Sequence, residues 1–309
     1  MRRDDRRARS SLPAACLLPA ACFLLAACGP AVGPACEIEG GPFPFPDGLS
    51  ESSGVAWSVR SRDLVWSVPD GRADRIWALD LEGRVVAELP LRLPGVWDVE
   101  DLAAGPCDEG ACLYLADVGD NAGTRDSVVV WTIVEPAFEP DAREVMRFDR
   151  VDPIAATTLR YTGEPENVEA VFIDRGGRIR LVSKGAERPA RHFRGPPVTS
   201  TDSVAYPLEP VQTLGEETRV LANQITGASA ISGSDRVVLR TYRDLILHRL
   251  EGEVLVPVEG GTESLLPLRE SQGEAIAVDR EGRVVVTSEA GPLGRAGGMH
   301  ILHCPGLVR

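Results

Sequence analysis

The 309-residue sequence predicts an all-β fold, a β-propeller of five four-stranded antiparallel blades around a central channel, with six blades as the alternative. Three observations predict it. Short apolar runs alternate with turn residues along most of the chain, a small motif recurs five times with a second strand behind it in steady phase, and two cysteines stand near the two ends of the repeating region. No apolar 3.6-residue period persists long enough to argue a helix.

The chain opens on Arg2, Arg3, Arg6, Arg7 and Arg9, followed by an apolar run from Leu12 to Ala27. A cationic stretch leading into an apolar one is the pattern of a secretory signal. The run closes on Leu25-Ala-Ala-Cys28, which resembles the lipobox at which bacteria cut before a cysteine and acylate it, so residues 1–27 are expected to leave and Cys28 to carry lipid. At 16 residues, with Pro13 and Pro19 inside, the run falls short of the roughly 20 that a spanning helix needs. The expected location is the bacterial cell envelope, outside the cytoplasm, with the membrane as partner through the N-terminal lipid. Residues 28–48, rich in Gly and Pro, read as a tether, and residues 49–309 as the propeller domain.

Removing residues 1–27 takes away five Arg and two Asp, leaving 28 basic and 44 acidic residues and a net charge of −16 against −13 for the whole chain. Such an acidic balance excludes nucleic acid, which needs clustered cations to release its counterions. Four cysteines remain beyond Cys16, Cys22 and Cys28, an even number that suggests disulfides in an exported protein. Cys107 and Cys112 flank a short turn, while Cys36 and Cys304 lie near the two ends of the domain, where a bond would clamp a ring shut.

The runs starting at Ser53, Leu64, Arg75 and Arg84 are four β-rich segments separated by Arg-Asp, Pro-Asp-Gly and Glu-Gly turns. Four such strands make one blade, and the test is recurrence. A polar residue followed by an apolar strand appears at Ser53-Gly-Val-Ala, Glu100-Asp-Leu-Ala, Glu169-Ala-Val-Phe, Ala228-Ser-Ala-Ile and Glu274-Ala-Ile-Ala. Second strands follow at Leu64, Leu113, Ile179, Val237 and Val284. The six-blade alternative would make a degenerate blade of Glu144 to Val151 and Thr157 to Thr162.

Loops entering the innermost strands of a propeller converge on one face, which gathers Glu51, Asp98, Glu100, Glu166, Glu169 and Glu274 at one mouth. Carboxylates that close raise one another's pKa unless a cation sits among them, and a hard, oxygen-liking ion such as calcium suits the set. The ends of the second strands add Asp117, Asp120, Asn121, Lys184, Arg240 and Glu289; Lys184, the one lysine of the chain, and Arg240 are candidates for holding an anionic ligand. Trp57, Trp66, Trp77, Trp97 and Trp131 are expected to pack between blades. His192, His248, His300 and His303 show no catalytic or metal spacing, and no nucleophile elbow, dinucleotide fingerprint or phosphate loop occurs.

The segments Glu51-Ser-Ser-Gly-Val-Ala, Asp98-Val-Glu-Asp-Leu-Ala, Leu115-Ala-Asp-Val-Gly-Asp-Asn, Val168-Glu-Ala-Val and Gln272-Gly-Glu-Ala-Ile-Ala resemble those of bacterial secreted propeller proteins of the phytase-like or SdiA-regulated type. The likeness covers most of residues 50–304. It implies acidic residues around a central calcium, matched here by Glu100, Glu169 and Glu274, and departs in the fourth repeat, where Thr226-Gly-Ala-Ser carries no carboxylate. The expectation for function is a lipid-anchored calcium-binding propeller whose mouth takes a small-molecule or protein ligand. The alternative is a calcium-dependent phosphoesterase.

Overall fold

The computed structural model describes residues 36–309, apart from 47, 142, 199–203, 216–219 and 292–296. Residues 1–27 and Cys28, on which the expected signal and lipid attachment fall, lie outside the described residues.

The strands are short and fall almost where the turn chemistry places them. After β1 (Glu37–Pro44) come β2 (Ser52–Trp57), β3 (Leu64–Pro69), β4 (Arg75–Asp80) and β5 (Val85–Pro90). Next are β6 (Val99–Gly105), β7 (Cys112–Asp117), β8 (Ser127–Val134), β9 (Met146–Arg147) and β10 (Ala155–Tyr161). Then follow β11 (Val168–Ile173), β12 (Arg178–Ser183), β13 (Ala190–Pro197) and β14 (Tyr206–Leu214). The last are β15 (Ile225–Ala230), β16 (Arg236–Thr241), β17 (Asp244–Glu251), β18 (Val254–Ser264), β19 (Gln272–Val278), β20 (Arg283–Glu289) and β21 (Gly298–His303). Antiparallel ladders join β2 to β5, β6 to β8 with β10, β11 to β14, β15 to β18, and β19 to β21 with β1 on the outside.

Ring closure follows from the contacts of the innermost strands. β2 meets β6, β6 meets β11, β11 meets β15, β15 meets β19, and β19 returns to β2. Apolar packing repeats the same order, because each of five buried clusters is shared by two neighbouring sheets. Trp66 and Leu115 join the first and second, Tyr114 and Phe193 the second and third, and Phe172 and Leu239 the third and fourth. Val238 and Val286 join the fourth and fifth, and Val65 and Val285 close the fifth on the first. Inner strands are buried on both faces, so they read as near-continuous runs of small and apolar residues rather than as alternating ones.

Several expectations change. Glu37–Pro44, expected within the tether, is the outer strand of the last sheet, paired antiparallel with β21. Its Gly and Pro residues are tolerated because an edge strand pairs on one side only, and Phe43 packs into the cluster that joins the last sheet to the first. Of the segments of the six-blade alternative, β9 adds in parallel to the edge of β5, and β10 pairs antiparallel with β8 and in parallel with β14, so that the second and third sheets are continuous. Trp66, Trp77 and Trp131 are buried between sheets as expected, but Trp97 is 66% exposed, and Trp57 is half-buried beneath the Arg283 guanidinium.

Cys36 and Cys304 are bonded across 268 residues and fix β1 beside β21, while Cys107 and Cys112 close a turn of five. On loop entropy alone the long closure contributes about 5 kcal/mol and the short one about 2 kcal/mol. Thermal unfolding of Cys304→Ser is therefore expected to show a clearly larger fall in Tm than Cys112→Ser. Equal falls would mean that the ring does not depend on its covalent seam.

Candidate functional site

The five inner strands share one irregularity at one level. Each has a β-bulge just after it begins, between Ser52 and Gly54, Val99 and Asp101, Val168 and Ala170, Ile225 and Gly227, and Gly273 and Ile276. A bulge re-aims the extra residue, and the residues concerned are Ser53, Glu100, Glu169, Thr226 and Glu274, all buried. They form a ring at the entry side of the channel. In the fourth repeat the equivalent position is thus Thr226, two residues before the motif start at Ala228; a slip of two keeps the same strand face and leaves the apolar pattern intact.

Above this ring lie the residues that follow the second strands, Asp70, Val118, Lys184, Tyr242 and Ala290, with Glu289 ending β20. The carboxylates of the mouth are compensated in three different ways. Glu169 Oε1 accepts from Lys184 Nζ at 2.9 Å and from Asn167 Nδ2 at 2.6 Å. Burial works against the Lys184 charge, but the Glu169 contact outweighs it and raises the lysine pKa; its ammonium also faces the Tyr242 ring at 6.0 Å. Glu274 and Glu289 share the Gln272 amide, at 2.7 and 2.8 Å. Burial and then Glu289 push Glu274 up to about 8, and burial with Asp70 and Glu51 pushes Glu289 up to about 7.

The third group has no such partner. Carboxylate oxygens of Asp70, Asp98 and Glu100 lie within 4.8 Å of one another. Glu100 is 8% exposed, and burial with Glu169 and then Asp70 holds its pKa well above the ordinary range. Burial also raises Asp98 and Asp70. Gly119 is packed against the Glu100 and Asp98 carboxylates, so a Cβ on it would force them to shift.

The other expected site residues do different work. Asp117 accepts from the Trp97 and Asp98 amides at 3.2 and 2.9 Å and pairs with Arg125 at 3.0 Å, which holds the loop that carries Asp98. Asp120 caps its own loop through the Thr124 and Arg125 amides, and Asn121 bonds Asn167. Glu51 is exposed beside the cluster, and Glu166 faces Arg188 and Arg191 away from it. Arg240, expected to hold an anion, is instead fully buried between the fourth and fifth sheets. It donates to the Ala275 and Thr287 carbonyls and to Glu270, and packs where any side chain on Gly273 would collide. His192 stacks on Phe172 in the core, and His248 and His300 are buried.

Asp70 and Tyr242 escaped the sequence reading. Asp70 stands in a Pro-Asp-Gly turn, where aspartate is an ordinary turn residue. The signal that finds it is phase, since it follows the second strand of its repeat as Lys184 does in the third.

Comparison of the sequence with family models and with curated proteins gives no match. Among solved structures the chain is similar to the PQQ-bound aldose sugar dehydrogenase from Streptomyces coelicolor, with 11% identity over 87% of this chain and 98% of that one and a TM-score of 0.49. It is also similar to virginiamycin B lyase from Staphylococcus aureus with quinupristin, with 10% identity over 84% and 68% and a TM-score of 0.41. The RRP9 WD40 repeats align at 14% identity over 82% and 67%, with a TM-score of 0.40. At these identities the likeness concerns the fold alone.

The mouth carboxylates set a pH dependence. Glu274 and Glu289 bind protons in the folded state that the unfolded chain releases from about 4.5 upward. With chelator present, stability is thus full below about 4.5 and falls as pH rises through about 7 to 8. Glu274→Gln is expected to flatten this fall in thermal melts. A melt series that rises over the same range would contradict the assignment.

Proposed function

We propose that the acidic mouth binds a divalent cation, calcium by its donor chemistry, through Asp70, Asp98 and Glu100, and that the charged centre so formed presents the site for a small-molecule or protein ligand. One observation carries this reading. Glu100 is a buried carboxylate beside two others, and no hydrogen-bond donor among the described residues sits on Glu100 or Asp98. Burying such charge without a partner costs several kcal/mol, so the arrangement suits a cation that offsets it.

The donor set fits the ion. Oxygens that share a calcium at about 2.4 Å lie no more than about 4.8 Å apart, and the three carboxylates meet that limit. All three donors are oxygen, and carboxylates that bind through one or two oxygens accommodate the irregular six- to eight-fold shell calcium accepts. Glu169 and Glu274 belong to the surrounding field, since each already accepts through Oε1, from Lys184 and Gln272 respectively, and neither joins the three carboxylates whose oxygens lie within 4.8 Å of one another. Phosphoester hydrolysis has less support: Arg240 is buried in a structural ion pair, and Lys184 is bonded to Glu169.

The same reading places the domain at the cell envelope, held through a lipid on Cys28. What supports this is the N-terminal sequence pattern and the disulfides of the domain. Cys28→Ser is expected to move the protein from the membrane fraction to the soluble fraction, and a variant that stays membrane-bound would remove the anchor.

Calcium at 1 mM is expected to raise Tm relative to chelator by an amount that saturates with binding, about 2.7 kcal/mol of stabilisation at a hundred times Kd. Asp98→Asn should abolish the rise while leaving the chelator Tm unchanged or higher, because it removes one of the repelling charges. No calcium response in either melting or calorimetry would sink the proposal.

A further inference from the structure

The channel has a second end of opposite character. Beyond the bulges the inner strands run on to Trp57, Gly105, Ile173, Ala230 and Val278, and their ends surround a cavity of about 510 Å³. It exists because small residues meet there: Ala56, Ala104, Ala228 and Ala230 leave unfilled the space that Val171 and Ile276 bound. Asp101 stands on β6 between Glu100 of the acidic mouth and Leu102 of the cavity wall. It is fully buried and accepts from the Leu102 and Val171 amides at 2.8 Å each and from that of Ala228, so it ties three inner strands together.

The rim of the cavity is basic. Arg60, Arg62, Arg280 and Arg283 stand against Asp279 and Glu281, in a chain whose net charge is −13. Arg283 is fixed by Asp279 and the Arg62 carbonyl, both at 2.7 Å, and by Asp63 at 3.4 Å, and lies over the Trp57 ring at 4.8 Å, so all three of its nitrogens are engaged and the donors left for a ligand are those of Arg60, Arg62 and Arg280. Arg280 is held by Ser232 at 2.9 Å, Arg60 by the Glu135 carbonyl at 2.8 Å, and Arg62 reaches Glu281 at 3.5 Å. A guanidinium has five N–H donors in a fixed fork, so one anchoring contact orients it and leaves donors for a ligand.

We propose that this cavity is a second binding site, for a small organic anion that carries a carboxylate or phosphate on an apolar or aromatic body. The volume lies in the range of small-molecule sites and far exceeds that of an inorganic ion. The lining is mixed, with Val55, Leu102, Val171 and Ile276 among its apolar residues and Trp57 at its edge, and the arginines match the planar, two-oxygen face of a carboxylate or phosphate.

The test is calorimetric titration of the full chain with 1-naphthoate, 1-naphthyl phosphate and 1-naphthol, with chelator present throughout. Saturable binding of one or both anions is expected, about tenfold or more tighter than that of the neutral naphthol. Naphthoate against naphthyl phosphate decides which anion the rim prefers. The double substitution Arg62→Gln with Arg280→Gln, both on exposed side chains, should weaken anion binding about tenfold at unchanged Tm. Asp98→Asn, at the other end of the channel, should leave it intact. The inference fails if neither anion binds, if naphthol binds as tightly, or if the double variant keeps full affinity. It also fails if Asp98→Asn abolishes binding, which would locate the ligand at the acidic mouth.

Discussion

The innermost strand of each sheet has one edge with no strand to pair with, and five such edges face one axis. Every structural feature of the channel answers that constraint, because buried amides and carbonyls without partners cost as much as a lost hydrogen bond each. Ser53 donates to the Val99 carbonyl, Thr226 to that of Glu274, and Ser229 accepts from the Val278 amide. Asp101 does the most. Burial pushes its pKa well up while three amides pull the other way, and the result is one side chain bonded to β6, β11 and β15 together.

The bulges that satisfy geometry at the mouth create its electrostatic problem. Each extra residue has to point somewhere, and near the axis that direction is inward, which brings three glutamates and their neighbours into one buried volume. Lysine compensates one, a shared amide and a raised pKa compensate the second pair, and the third has no side-chain donor among the described residues. The chain thus puts its one lysine where a compact ammonium fits among carboxylates, whereas its arginines carry surface ion pairs, the far rim and the buried Arg240 pair. Arginine's planar fork serves edge-on recognition, and a point charge on a flexible stem serves a crowded ring.

Much of this was legible in the sequence, and the omissions have physical causes. The strands β2 to β5 were readable because turns and apolar runs alternate with little interruption, and the cysteine pairing because Cys36 and Cys304 bracket the repeats. Glu100, Glu169 and Glu274 announced themselves by recurring in phase. Asp70 did not, since a turn aspartate and a ligand aspartate are the same residue in the same kind of loop. Arg240 misled for the converse reason. It ends a second strand as Asp117 does, but Gly273 opens a slot beneath it, and a residue thirty-three positions away is invisible to local pattern. The outer strand β1 hid behind its glycines and prolines, which weaken a central strand but are harmless at an edge.

What no local pattern could give is the opposition of the two ends. The entry level is set by bulges and by the loops after the second strands, which carry acid. The exit level is set by the turns between first and second strands, where Arg60, Arg62, Arg280 and Arg283 cluster. Glu100, Asp101 and Leu102 are consecutive, so one strand carries a buried carboxylate of the mouth, the pin of the ring and a wall of the cavity in three residues. Because alternate residues of a strand cannot be moved separately, the separation of acid from base is built into the backbone of β6 rather than into the loops. A ring pinned in this way keeps an acidic cluster and an arginine-rich rim apart without either neutralising the other.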